Sequence, residues 1–446
     1  MKNKKKSIKI PLFILLSLSI IFSVTYILIV KMESSAPTIS IPPHSDYIGK
    51  SFTLSGTVAD PESGVRSIWA AVLQDGKEKV LIDNAYQEQT SIPLSITVEP
   101  KTLGLSDGPA IIRIAVRDNS WRDWNNGNLS YIEKEVIIDT VPPRADVLTR
   151  HHNVSQGGAG LVIFRVTEPD TVSGVNVGGN FFPGYPGHFK DPNILMAFFA
   201  LDHKQGTDTE LYVKATDKAG NSSRTGFYYH LRTKRFAKDT IPISDEFLNW
   251  KMPEFDMEVA GEAIDKFIEV NRKLRKKNND VILGHGKETE SALYWNQSFI
   301  RLSGSARKAG FADHRSYHYK GNVIDRQYHM GIDLASLAHS RVPAANSGKV
   351  VFNGSVGIYG KTVIIDHGFG LFSIYSHLST MDVETGQEVS RGEIIGRTGT
   401  TGLAGGDHLH YGMFIHNTFV NPIEWWDGSW IQNNITSKIN DVKGMY

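Results

Sequence analysis

A chain of 446 residues exceeds what one hydrophobic core organises and implies two to four domains. Its 48 Lys and Arg nearly balance 47 Asp and Glu, so no global basic field points to nucleic acid, and none is expected as a partner. Cysteine is absent, which excludes disulfide frameworks, thiolate nucleophiles and cysteine-held metals together. Any catalytic metal must then be held by His, Asp or Glu.

The chain opens on "MKNKKKSIK", followed by an uncharged apolar run over residues 10–30. At about 1.5 Å per residue such a helix crosses a hydrocarbon core of roughly 30 Å. Residues 1–34 are therefore expected to be a Lys-rich stub and a single transmembrane helix in the cytoplasmic membrane. Lys2, Lys4, Lys5, Lys6 and Lys9 belong on the cytoplasmic side, and everything after Lys31 on the periplasmic or extracellular side. A cleaved signal peptide is the rival, but its apolar region usually has about 7–15 residues and ends at an A-x-A-like site. No such site stands out here.

From about residue 36 to 235 the sequence is made of short β-type runs and turn residues. A weak repeat runs through it: "VADPESGV" (58–65) matches "VTEPDTVSGV" (166–175), and "IAVRDNSWRDWNNG" matches "VKATDKAGNSS" (213–223). Between the copies, "IDTVPPRADV" (138–147) is a stiff, non-helical connector. With "IDTVPP" and "ATDKAGN", this stretch resembles the tandem immunoglobulin-like modules of bacterial surface proteins. The resemblance implies two β-sandwiches, residues 36–141 and 142–235. Asp60, Glu62, Asp118, Asp123 and Asp217 could bind calcium, although acidic residues in turns more often serve the turn alone.

Residues 243–282 change character. After Pro253, Val259, Ile264, Phe267, Ile268 and Leu274 recur at roughly helical spacing with charges between them, predicting a connecting amphipathic helix packed on its neighbour.

From 283 to 446 β alternation returns, interleaved with histidines. In "DHLHYGMFI" one strand face carries His408, His410, Gly412 and Phe414, and the other carries core residues. In "YHMGIDLAS", His329 and Asp333 would lie about 13 Å apart along a straight strand, too far to share one ion, so a bend at Gly331 is expected. In "LFSIYSHLS", Leu371, Ser373, Tyr375 and His377 share a strand face; His367, in the adjoining "DHGFG" turn, reads as structural. The segment 311–327 reads as a hairpin completing the domain or lining a groove, and "TGTTGLAGG" (398–406) as a mobile wall. The inventory of N and O ligands plus spare imidazoles is that of a mononuclear zinc hydrolase with an open coordination position.

The order His-x-x-x-Asp, Tyr-x-His-Leu, His-Leu-His, each on a β element, resembles the lysostaphin-type zinc endopeptidases that cut peptidoglycan cross-links. "VPAANSGKVV", "GKTVIIDHGFG", "GQEVSRGEIIGRTGTTG" and "NPIEWW" agree with it, over a core of about 328–426. "GQEVSRGEIIG" alone also suits lipoyl-type hairpin barrels, so the histidines carry the distinction. The resemblance implies one Zn2+ per chain on His329, Asp333 and His410, with His377 and His408 as unligated catalytic histidines. The implied substrate is the peptide of peptidoglycan; which histidine is the base, and which bond is cut, stay open. The expected fold is mainly β: a membrane helix, two immunoglobulin-like sandwiches, a helical linker and a β-sheet peptidase domain. The alternative is a weak or inactive relative that binds wall or activates another hydrolase.

Overall fold

The computed structural model describes residues 9–445, apart from the side chains of residues 9–12, 30 and 88. Among the described residues strand accounts for 44% and helix for 20%, a mainly β composition as expected. Two compact units result: Met1–Pro142 with Thr216–Asn221, and Pro143–Ala215 with Ser222–Tyr446.

The first unit begins with a helix, Lys9–Lys31. Among the described residues no helix is long and apolar enough to cross a membrane, so the crossing helix expected over 10–30 is not confirmed. Within that stretch Phe13, Leu15, Phe22 and Ile29 are all exposed. Lys2, Lys4, Lys5 and Lys6 lie outside the described residues.

After the helix come two sheets. Thr38–Ser40, Phe52–Ala59 and Ser91–Val98 form one, and Tyr47–Ile48, Leu129–Ile138, Gly108–Asp118, Val65–Gln74 and Lys77–Gln89 the other. Alternation builds the core between them. Ile92, Leu94, Ile96 and Val98 of one sheet meet Ala110, Ile112, Ile114 and Val116 of the other in a single cluster, while their sequence neighbours face outward. Each buried Ile contributes about 1.5–3 kcal/mol relative to exposure.

In the second unit, Ala159–Val166 pairs with both Ile194–Ala200 and Ala145–Val147. Ile194–Ala200 is buried at every position, without alternation, because both of its faces are covered. Phe198 on this strand stands 6.3 Å from the Trp295 ring and 6.0 Å from that of Trp425, both in the C-terminal domain. Polar contacts reinforce the junction: the Ala159 N–H donates to Glu424 Oε2 at 2.9 Å, and Lys438 Nζ donates to the Leu161 carbonyl at 3.1 Å. The second β module and the histidine-bearing domain therefore share one core.

The connecting helical segment is broken. Asp245–Lys251 starts at a Ser244 cap, and the longer run begins at Ala263 and continues through Gly284. Val259 falls outside it, since Gly261 takes φ 112° and Glu262 with Asp265 forms a capping box at the true start. Upstream of the helix, Lys238–Ile243 pairs parallel with His314–Tyr319, which forms a hairpin with Asn322–Tyr328. The large C-terminal sheet then sets Ile332–Ala335, Leu409–Ile415, Leu371–Met381, Gly360–Asp366 and Gly348–Val356 side by side, all antiparallel.

Glu424 supplies a test of the shared core. Burial pushes its pKa up from 4.5 to about 7, against the stabilising Ala159 N–H. A raised carboxyl pKa means that stability is full below pH 4.5 and is lost as pH rises toward 7. Glu424→Gln should therefore melt higher than the parent at pH 8, by on the order of 3 kcal/mol, and differ little at pH 4. Parallel melting curves for the two proteins across this range would contradict the assignment.

Candidate metal centre

Sheet register assembles the centre. Asp333 pairs with His410 on one side of Leu409–Ile415, and Ser376 pairs with His410 on the other. Paired residues of adjacent strands project to the same face, so Asp333 and His410 share it. His408 lies one residue before this strand, bridged to Gly399.

His329 reaches the same point from the preceding turn, where the chain leaves the hairpin at Tyr328 and enters the large sheet at Ile332. Its Nδ1 lies 2.9 Å from the Gly310 carbonyl, which can only accept, so Nδ1 carries the proton and Nε2 offers a lone pair. Nε2 is 2.9 Å from Asp333 Oδ1 and 3.0 Å from His410 Nδ1, and that nitrogen is 3.0 Å from the same carboxylate oxygen. All three residues are buried. Three lone-pair atoms converge, and one proton cannot satisfy every edge of the triangle. A cation in their midst can, and the donor set of two imidazoles and one carboxylate suits zinc.

The chain bends at Gly331, as its sequence position suggests, and does so without a positive φ. The glycine has a second role: a Cβ there would stand 2.6 Å from His410 Nε2 and 2.7 Å from the Tyr411 carbonyl, so its absence makes room for the ring. Asp333 is also oriented from behind. Its Oδ2 takes a 2.7 Å hydrogen bond from Arg315 Nη2, leaving Oδ1 for the centre.

His377 required a structural correction. Strand alternation puts it with Leu371, Ser373 and Tyr375, which pair with Ile415, Met413 and Tyr411 on the face opposite His410. A bulge at His377, with φ 61°, turns the side chain over. Its ring then lies 4.8 Å from that of His408 and 5.8 Å from that of His410. His377 Nδ1 bonds the Thr401 carbonyl at 2.8 Å, and His408 Nδ1 bonds the Gly406 carbonyl at 2.8 Å. Each imidazole thereby leaves Nε2 for the centre; that of His408 is 3.5 Å from Asp333 Oδ1.

Electrostatics separate these groups. Burial alone would raise the Asp333 pKa, but the surrounding His329, His408 and His410 hold it well below the usual range. Burial, with the neighbouring imidazoles, lowers His377 well below its ordinary value and His410 to about 4. Burial also pushes His408 down, but Asp333 outweighs it and the net shift is upward. An anionic Asp333 and a neutral His410 are the forms a metal requires.

A cavity of about 80 Å³ adjoins the triad, lined among others by Arg275, Arg315, Tyr359, His377, Leu403 and His408. Leu403 and Thr401 come from the glycine-rich wall. Arg275 comes from the helical segment, and neither it nor Tyr359 carries a local sequence signal. Asp407 bonds the His339 N–H at 3.1 Å rather than His408. His367 is buried elsewhere in the sheet, with Nδ1 on the Ser347 carbonyl and Nε2 on the Ser373 hydroxyl, both at 2.7 Å, as a structural histidine should be.

Comparison with known proteins bears on the same residues. The family described as "Peptidase family M23" matches residues 327–422. The "DD-carboxypeptidase/endopeptidase Mpg" of Neisseria meningitidis is 41% identical over 95 residues, which is 21% of this chain and 22% of that protein. The "Peptidoglycan DD-endopeptidase ShyA" of Vibrio cholerae is 29% identical over 155 residues, 32% of this chain and 36% of that one. The chain thus spans between about a fifth and a third of the length of these curated relatives. Among solved structures, the catalytic domain of lysostaphin from Staphylococcus simulans is 26% identical, with a TM-score of 0.25, covering 29% of this chain and 98% of that domain. The matched segment contains His329, Asp333, His377, His408 and His410, and residues 327–422 of this chain are a peptidase family M23 domain.

Proposed function

We propose that this chain is a membrane-anchored zinc metalloendopeptidase that hydrolyses peptide cross-links of bacterial peptidoglycan. The observation that carries the proposal is the convergence of His329 Nε2, Asp333 Oδ1 and His410 Nδ1 within 2.9–3.0 Å of one another, with two further imidazoles beside them. The peptidoglycan and DD-endopeptidase activities named for the relatives support the substrate class.

His329, Asp333 and His410 would hold the zinc, which when bound polarises the scissile carbonyl and makes water a nucleophile near neutral pH. The remaining work belongs to the chain. His377 and His408, their Nδ1 protons held by the Thr401 and Gly406 carbonyls, present Nε2 as the atoms that accept and return protons. Arg315 fixes which carboxylate oxygen of Asp333 faces the centre. No glutamate base is needed for this arrangement. Outside the peptidase domain, the exposed apolar helix 13–29 supports insertion in the cytoplasmic membrane, with the remainder on the outer side. The two β modules, read as immunoglobulin-like, would act as a spacer into the wall.

The test uses the full chain in detergent, because Lys238–Ile243 and the second β module complete the peptidase domain's pairing and core. Incubated with purified cell wall, it should generate new peptide amino termini, lose this activity to a chelator and regain it with zinc. His410→Ala should release nothing. Absence of new termini from the parent, or release indifferent to chelator, would refute the proposal. The division of labour is tested separately by metal content. His377→Ala and His408→Ala should each keep one zinc per chain while losing about 100-fold or more in turnover. A variant of either that binds no zinc would place that histidine among the ligands.

A further inference from the structure

The first unit holds a second group of convergent ligands, made of carboxylates alone. Glu33 stands two residues beyond the end of the helix Lys9–Lys31, Asp60 follows the strand Phe52–Ala59, and Asp118 closes the strand Gly108–Asp118. Each offers an oxygen lying within 4.8 Å of the others. Their exposures are 7%, 3% and 0%.

Turn formation accounts for the two aspartates. Asp60 Oδ1 accepts the N–H groups of Glu62, Ser63 and Gly64 at 2.9–3.0 Å. Asp118 Oδ1 accepts those of Ser120 and Asn128, and its Oδ2 the Asn128 side-chain amide at 2.8 Å. Glu33 is not explained in this way. Its Oε1 accepts from the Ser63 hydroxyl at 3.0 Å and the Asn128 amide at 3.2 Å, but its Oε2 is buried with no hydrogen-bond partner. A buried acceptor facing two other carboxylates is costly unless a cation or a proton joins it. Burial first, and then Asp118 and Asp60, raise the Glu33 pKa, as expected for an uncompensated site.

We propose that Glu33, Asp60 and Asp118 bind one calcium ion that ties the chain leaving the N-terminal helix to the first β module. The ligands are oxygen only, the choice of a hard cation, and calcium tolerates irregular shells of 6–8 oxygens at about 2.3–2.6 Å that mix carboxylates with carbonyls and water. The location has a mechanical sense. Lys31 O already accepts the Trp121 N–H at 2.6 Å and the Ser120 hydroxyl at 3.1 Å, and Met32 O accepts Arg122 Nε at 3.1 Å. An ion bound to Glu33 adds to these contacts at the helix exit. In sequence the acidic pattern recurs: Asp139 precedes Pro143 by four residues as Glu33 precedes Pro37, Glu168 of "VTEP" matches Asp60 of "VADP", and Asp217 matches Asp118.

Equilibrium dialysis of the zinc-loaded full chain in detergent against radioactive calcium, with thermal unfolding in parallel, decides the matter. The parent should bind calcium at about 1 mM or below, and saturation should raise the melting temperature of the first unit by about 5–10 °C. Glu33→Gln should bind one ion fewer and lose that rise. It should also melt higher than the ion-free parent, because it removes a buried charge, with its zinc content unchanged. Asp118→Asn provides a second variant with the same predicted loss of one ion. No calcium bound by the parent, or equal binding by both variants, would overturn the proposal, leaving a shared proton as the role of Glu33.

Discussion

The antiparallel register that places Asp333 and Ser376 on either side of His410 is the constraint on which the centre depends. A strand slip of one residue would send His410 to the packed face and Tyr411 to the site, since side chains alternate. The opposite face resists such a slip. Leu409, Tyr411, Met413 and Ile415 are all buried there, with Tyr375 packed at 5.4 Å from the Tyr411 ring. Apolar burial on one face of a sheet thus sets the register of the polar atoms on the other.

At the bulge at His377 the sheet departs from this rule, and the departure brings in the fifth candidate residue. A non-glycine residue in the left-handed region costs about 1–2 kcal/mol, and here the Thr401 carbonyl bonded to the ring holds it. Preorganisation extends outward. Arg315 reaches Asp333 from a hairpin that itself pairs with Lys238–Ile243, upstream of the helical segment. Residues distant in sequence therefore position the candidate ligands, and the second β module contributes buried surface to the same unit through Phe198, and through Ala159 and Leu161 bonded to Glu424 and Lys438.

Much of the site was legible in the sequence, for a physical reason. His408 and His410 lie on a period-two strand, and the four-residue spacing of His329 and Asp333 across a glycine announced that the chain could not stay straight. The mainly β architecture followed from the same alternation. Other features were hidden because they depend on contacts with no fixed spacing. Nothing in the segment 311–327 links Arg315 to Asp333, eighteen positions away. Strict alternation put His377 on the wrong face, as a bulge leaves no compositional mark. The second role of Gly331, clearance for the His410 ring, has no local signal because that ring arrives from another strand. Apolar residues before Ala263 suggested an earlier helix start, but the φ of Gly261 and the capping box decide it.

The central claim is that one zinc is held by two imidazoles and one carboxylate while two further histidines stay unligated. Anomalous diffraction at the zinc edge from crystals of the zinc-loaded protein tests it most directly. A single peak in the peptidase domain, bounded by His329 Nε2, Asp333 Oδ1 and His410 Nδ1, is the predicted result. A peak coordinated by His377 or His408, or none at this position, would contradict the account.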